Sequence, residues 1–254
     1  MLRKTNLIWE NIYRLNEAEI VLVGVPFDST CTEIPGTRFG PNRIREEFQV
    51  HVGNFDEQLG DLEDVKLYDA GNIDVVHGNV ELTHKLVYST VKEIIEENPT
   101  AKLLILGGEH SITKPIVKAL SEKKKFGYVC YDAHTDLWDD YNGFKYSHAC
   151  VNRRISEILG NVEIRGCKAE SKEIAAYLKR LKPAKEPVYL SIDVDVFSDK
   201  VSCPVPYSYD FEKMWSEIAK RKVVAADVVE YNPLVGRDVR VAELVKRLIL
   251  KFHS

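Results

Sequence analysis

Three short segments hold residues that could act together: Gly107-Gly108-Glu109-His110, Asp132-Ala133-His134-Thr135-Asp136 and Asp193-Val194-Asp195. They offer two imidazoles, His110 and His134, and four carboxylates, Asp132, Asp136, Asp193 and Asp195. Carboxylates packed together repel, and some stay protonated unless cations neutralise them. Two divalent ions would set four positive charges against four negative ones. Oxygen-rich donors with some imidazole suit Mn²⁺ better than a thiolate-seeking metal, and they admit Ni²⁺ or Co²⁺ as well. A pair of ions roughly 3.5–4 Å apart can deprotonate and place a shared water. In extended backbone, residues two apart point the same way, so 132/134/136 and 193/195 each form a period-two donor set. Gly107 and Gly108 permit a tight turn, and Ser111 or Thr113 can cap the helix after it. A lone Asp at a strand end is usually a cap or turn former. Two period-two sets, each behind an apolar run, favour a metal site instead.

Those runs are the elements that must position the donors. Strand-like segments fall at 20–25, 65–68, 103–106, 128–131, 162–164, 188–192 and 223–228. Amphipathic segments lie between or after them, at 42–48, 81–95, 114–120, 150–159, 171–181, 211–219 and about 239–250. In 81–95, Leu82, Leu86, Val87, Val91, Ile94 and Ile95 recur at helical spacing, and Pro99 ends the run. This alternation predicts an α/β fold, a mainly parallel sheet with helices on both faces. A TIM barrel is the other candidate; an open three-layer α/β/α arrangement is favoured. In open parallel sheets, ligands bind beyond the carboxyl ends of the strands. All three polar segments sit there, after Leu106, Tyr131 and Ile192. No linker or low-complexity stretch divides the chain, so residues 1–254 read as one catalytic domain.

Composition narrows the class. A net charge of −4 gives no footprint for nucleic acid. The apolar runs are too short to span a bilayer, and no apolar signal region follows Arg3 and Lys4, so the expected compartment is the cytoplasm. Glu122-Lys123-Lys124-Lys125 reads as the solvated end of a helix. Five cysteines, widely spaced and odd in number, suggest neither a zinc knuckle nor a disulfide framework. PGTRFGP (35–41) lacks the Lys-Ser/Thr of a phosphate loop and reads as turn chemistry with a helix start at Pro41.

The chain resembles the ureohydrolase family of arginase, agmatinase and formiminoglutamase. GGEHS (107–111) resembles the family's GGDHS-type motif, DAHTD (132–136) matches the second motif, and SIDVDVF (191–197) matches the start of the third. GVPFD (24–28), PGTRFGPNRIR (35–45) and DVVEYNP (227–233) are also similar, so the likeness covers about residues 20–240. It implies an arginase/deacetylase-like fold and a binuclear manganese centre. By motif, His110 and Asp136 would hold one ion, and His134 and Asp195 the other. Asp132 and Asp193 would bridge, and Asp136 would also accept a hydrogen bond from the shared hydroxide. Within the family, the segment from Asp136 to Ala149 looks most like agmatinase, because it lacks the Ser/Thr/Asn-rich loop suited to an amino acid's α-groups.

The implied reaction is hydrolysis of a guanidino compound, most simply agmatine to putrescine and urea. Glu230 would balance the substrate's charge, and His148 would protonate the departing amine or shuttle protons. Homo-oligomers, trimers or hexamers, are implied as well. The family's third motif usually continues into Asp-Pro and a Gly/Pro-rich loop; here Phe197 leads into SDKVSCPVP (198–206), which bears on substrate identity. Ile164-Arg165-Gly166 matches a substrate-side motif only in part.

Plainer readings compete. Glu230 could be a strand-end cap and His148 a helix cap, while Trp138 and Tyr141 read first as cover for apolar surface and second as lining of a site entrance. His51, His77, His84 and His253 read as structural or exposed. A His-activated thiolate could attack a guanidinium carbon, and Cys150 lies two residues from His148. The remaining rivals are a sibling ureohydrolase acting on guanidinobutyrate, arginine, guanidine or formiminoglutamate, and a metal-binding paralogue without catalysis.

Overall fold

The structure is a computed structural model that describes residues 2–3, 8, 11–198 and 209–254. In chain order the elements are β1 Leu2–Arg3, β2 Ile20–Val25, α1 Gly40–His51, β3 Phe55–Asp56, β4 Gly60–Asp61, β5 Leu67–Ile73 and α2 Val80–Glu97. They continue with β6 Lys102–Gly107, α3 Thr113–Ser121, β7 Gly127–Tyr131, α4 Val151–Ile158, β8 Val162–Arg165 and α5 Lys172–Leu178. The last are β9 Val188–Asp193, α6 Phe211–Ile218, β10 Val223–Val229 and α7 Arg240–His253. Eight strands form one sheet in the order β1-β5-β2-β6-β10-β9-β7-β8. All its pairings are parallel except β1 on β5. The open, mainly parallel sheet excludes the TIM barrel.

The strands are continuous apolar runs because both faces are covered. Alternate side chains then enter different cores. Leu22, Leu104 and Leu106 pack with Ile44 and Phe48 of α1, Met214 of α6, and Leu244 and Leu248 of α7. Val21, Val23, Leu103 and Ile105 pack with Val87 and Val91 of α2, Ile116 of α3 and Ile155 of α4. Trimming a side chain such as Leu248 to Ala would cost roughly 2–5 kcal/mol, the usual range for an unfilled core position.

Local rules set the helix starts. Asn79, Ser171 and Asp210 each accept a backbone N–H from the first turn of α2, α5 and α6. Pro41 sits in the first turn of α1, as expected. The start of α3 departs from expectation. Neither Ser111 nor Thr113 caps it, and the Ser111 hydroxyl donates to Glu109 instead. Leu82, placed among the apolar residues of its helix, is exposed.

β5 also differs, running to Ile73 through Asp69 and Asn72. Those polar residues are buried because Arg45 of α1, itself fully buried, donates to both Asp69 oxygens at 2.8 Å and to Asn72 at 2.8 Å. Removing one partner of such a pair typically costs about 3–5 kcal/mol. It therefore clamps α1 onto the sheet edge. Five adjacent strands, β2, β6, β10, β9 and β7, occupy the middle of the sheet, and their carboxyl ends share one rim.

Candidate metal centre

The rim gathers all six donors. His110 opens a single helical turn after β6 and is fully buried. Its Nδ1 lies 3.0 Å from Asp136 Oδ2, 3.3 Å from Asp132 Oδ2 and 3.6 Å from Asp193 Oδ2. His134, partly exposed, puts Nδ1 2.7 Å from Asp195 Oδ2 and 3.8 Å from Asp132 Oδ1. Asp132 thus turns one oxygen toward each imidazole. Backbone donors fix the carboxylates: His134 N to Asp132 Oδ1, Ala133 N to Asp195 Oδ1 and Asp195 N to Asp193 Oδ1.

The convergence arises differently from the period-two reading. Asp136 lies in a loop beyond β7 at φ +48°, left-handed for a residue with a Cβ. Asp195 lies on a one-turn helix, Val194–Val196. Glu230 is also left-handed, at φ +63°. Such backbones persist only where the surroundings enforce them. Backbone hydrogen bonds hold both: Arg153 N donates to the Asp136 carbonyl oxygen at 3.2 Å, and Glu230 N to that of Gly108 at 2.8 Å. A Cβ on Gly108 would sit 2.1 Å from the Phe27 carbonyl oxygen, and one on Gly166 2.9 Å from that of Asp132.

The electrostatics show a site short of positive charge. Burial and the neighbouring Asp136 and Asp195 push the Asp132 carboxyl up to about 7. Burial, Asp195 and Asp132 raise Asp193 well above the carboxylate range. The hydrogen bond to Asp195 lifts His134 to about 10. Burial opposes a charge on His110, yet the Cys130 sulfur and the Asp132 and Asp136 carboxylates outweigh it and raise its pKa. Protons are being recruited to offset crowded acids.

His110 carries the test of whether cations fit. Its Nε2 lies 3.0 Å from Ser191 Oγ, which donates to Asp227 at 2.6 Å. Tyr189 donates to the other Asp227 oxygen at 2.6 Å. With its proton committed to Asp227, Ser191 must accept from Nε2–H, so Nδ1 of the neutral ring carries a lone pair. That nitrogen is buried without a hydrogen-bond partner and faces three carboxylates. A lone pair so placed is repulsive unless a cation lies between, and the outer hydrogen bond is what orients a ligating imidazole. The residues present fit a pair of divalent ions. His110, Asp136, Asp132 and Asp193 could hold one. His134 and Asp195, with Asp132 again, could hold the other.

Beside these donors lies a cavity of about 440 Å³ whose wall includes His134, Asp136, Asp193, Asp195, His148 and Glu230. Trp138 and Tyr141 line it too, which accords with the second of the two roles open to them, at the entrance. Glu230 accepts the His110 N–H at 2.6 Å, and burial pushes its carboxyl up to about 8 against that bond. Glu170, missed in the sequence, also lines the cavity and takes both the N–H and the hydroxyl of Thr135, at 2.8 and 2.6 Å. Asp227 had a legible signal, an acid inside the apolar strand run 223–229. Ser191 had one too, two residues before Asp193.

The thiolate alternative loses ground. The Cys150 sulfur is turned toward the Phe144 carbonyl, 3.8 Å away, and burial pushes the thiol up to about 11. Cys31, on the cavity wall, is also pushed up to about 11 by burial. Reactive cysteines require the opposite shift. Of SDKVSCPVP (198–206), everything after Ser198 lies outside the described residues.

The Arginase family model matches this chain over residues 18–175 and 159–254. An agmatinase of Pyrococcus horikoshii is 34% identical over 248 residues, covering 86% of this chain and 85% of that protein. The N(1)-aminopropylagmatine ureohydrolase of Thermococcus kodakarensis is 37% identical over 203 residues, covering 71% and 68%. Among solved structures, an arginase from Medicago truncatula superposes with a TM-score of 0.84 at 27% identity, covering 92% of this chain and 87% of that one.

Proposed function

This chain belongs to the arginase family of metal-dependent hydrolases acting on small guanidino compounds, and we propose that its substrate is agmatine, hydrolysed to putrescine and urea. The observation that carries this reading is the charge of the cavity wall. Among the described residues it presents Glu33, Glu170 and Glu230, with Trp138 and Tyr141, and no Lys or Arg. Arg38, nearby, is committed to Asp28 at 2.8 Å. A substrate ending in a carboxylate, such as arginine or guanidinobutyrate, would find no cationic Lys or Arg among the described residues of that wall and would face its acids. An ammonium tail would meet Glu170, Glu33 and aromatic faces. The agmatinase and aminopropylagmatine ureohydrolase among its relatives support a substrate of this kind.

The six donors would hold two Mn²⁺ ions, which when bound neutralise the carboxylates and activate water for attack on the guanidinium carbon. Asp132 would be a shared ligand by its place between the two imidazoles, and Asp193 by the motif resemblance. The remaining work falls to the chain. Glu230, anchored by the His110 N–H, pairs with the guanidinium and turns its central carbon toward the donors. The cation it receives lowers its raised pKa and holds it as a carboxylate. Water adds to that carbon and gives up a proton to His148, on the cavity wall. The bond to the alkyl nitrogen breaks, and His148 returns that proton to the departing amine. Residues 1–254 act in this reading as one catalytic unit.

The test is urea release from Mn²⁺-loaded protein across agmatine, aminopropylagmatine, guanidinobutyrate, arginine, guanidine and formiminoglutamate. Agmatine or its aminopropyl derivative should lead by at least about tenfold in kcat/KM, the factor that about 1.4 kcal/mol of charge pairing gives. A preference for any carboxylate-bearing substrate would overturn the assignment.

A further inference from the structure

Glu109 is fully buried beside a metal-ligand candidate, and its carboxylate is held by the loop after β2. It accepts the Thr30 N–H at 2.6 Å and the Thr30 hydroxyl at 2.7 Å, and also the Ser111 hydroxyl. The Thr30 oxygen in turn accepts the His148 backbone N–H at 3.0 Å and lies 3.3 Å from His148 Nδ1. A hydroxyl has one proton, and Thr30 gives its own to Glu109. The contact with Nδ1 is then satisfied only if the ring brings the proton. Ser147 Oγ, also 3.3 Å from Nδ1, can share that proton as a second acceptor; were it to donate instead, the Thr30 oxygen and Nδ1 would face each other with no proton between them. The lone pair is left on Nε2, at the far side of the ring from Thr30, for the cavity that His148 lines. Tyr141 packs edge-on to the ring at 6.1 Å between centroids and limits its rotation.

We infer that Thr30, held by Glu109, is a positioning residue that fixes His148 as the Nδ1–H tautomer and leaves Nε2 as its proton-exchanging nitrogen. The role given to His148 rests on the proposed hydrolysis; the tautomer does not. The chain Glu109–Thr30–His148 joins the loop after β2, the turn after β6 and the segment before α4, so it also fixes where the ring stands relative to the donors.

The tautomer is read directly by ¹⁵N NMR of histidine-labelled protein, at a pH where the ring is neutral. The His148 signals are identified by their loss in His148→Gln. Metal-free and Mg²⁺-loaded wild-type protein should show the Nδ1–H form, Thr30→Val a shift toward Nε2–H or a mixture, and Thr30→Ser the wild-type pattern. An Nε2–H ring in wild-type protein overturns the inference whatever the variants do. In turnover of agmatine, Thr30→Val should lower kcat by about 10- to 100-fold, a part of what a placed acid–base group contributes. KM and metal content should hold, and Thr30→Ser should recover most of the rate. Unchanged kcat in folded, metal-loaded Thr30→Val would overturn it as well. If wild-type protein hydrolyses no guanidino compound, the functional reading fails alone, and the NMR result still decides the relay.

Discussion

Two histidines of this molecule are each reached through a hydroxyl that rests on a buried acid, and they serve opposite ends. In the chain Asp227–Ser191–His110 the acid takes the serine proton, the serine accepts from Nε2–H, and Nδ1 is left bare. In the chain Glu109–Thr30–His148 the acid takes the threonine proton, and the lone pair falls on Nε2. His110 is fully buried and its bare nitrogen faces carboxylates, so it offers a static lone pair suited to a cation. His148 is half-buried on the cavity wall, so its bare nitrogen can exchange a proton with something that enters and leaves. At His148 the interposed hydroxyl sets the tautomer without placing a carboxylate directly on the ring, which would favour the imidazolium. One device thus builds both a ligand and an acid–base group, and burial decides which.

The comparison is broken most forcefully at the ligands. Asp193→Ala should empty one or both metal positions and abolish turnover; elemental analysis showing full occupancy would remove Asp193 from the site. Glu230 touches the His110 backbone but is assigned to the substrate. Glu230→Gln should therefore keep the metals and lower kcat/KM by about 10- to 100-fold, the worth of a charge-assisted contact. Unchanged steady-state kinetics would exclude it from catalysis. Ser191→Ala should weaken metal affinity by about 10- to 100-fold, the usual effect of losing an outer-shell partner. In the same metal titration Thr30→Val should match wild type, and equal losses in both would erase the distinction between the two chains.

The smallest effect is on metal-free stability. Asp132 at about 7 and Glu230 at about 8 sit above their ordinary values, so the folded state binds more protons than the unfolded one and loses stability as pH rises toward those values. His134, raised to about 10, contributes stability below its ordinary 6.5 that is lost as pH climbs toward 10. All three act in one direction from pH 6.5 to about 7, and Glu230 and His134 continue in that direction to about 8. The Tm of metal-free protein should fall over that interval and flatten on adding Mn²⁺; a Tm that rises with pH in its absence would contradict the charge-deficient site.

Much of the fold was legible because two-sided burial writes itself as apolar runs. The strands at 20–25, 103–106, 128–131 and 188–192 match β2, β6, β7 and β9 to within a residue at either end. β5 was misjudged because Asp69, Gly71 and Asn72 interrupt its pattern, and only Arg45, brought over from α1, makes their burial tolerable. The antiparallel β1 and the β3–β4 pair are too short, at two residues each, to carry a period. At the candidate site, the structure brings the six side chains named from the sequence to one rim. Asp136 and Asp195 arrive there through a left-handed residue and a helical turn, neither of which a side-chain period encodes.

The sequence by itself determined which side chains meet at the rim, since each polar segment is chained directly to a strand whose burial is encoded locally. Only the tertiary structure decided which nitrogen of each imidazole is free. That choice depends on a hydroxyl arriving from 81 residues away for His110 and 118 for His148, and on the buried acid that has already taken its proton.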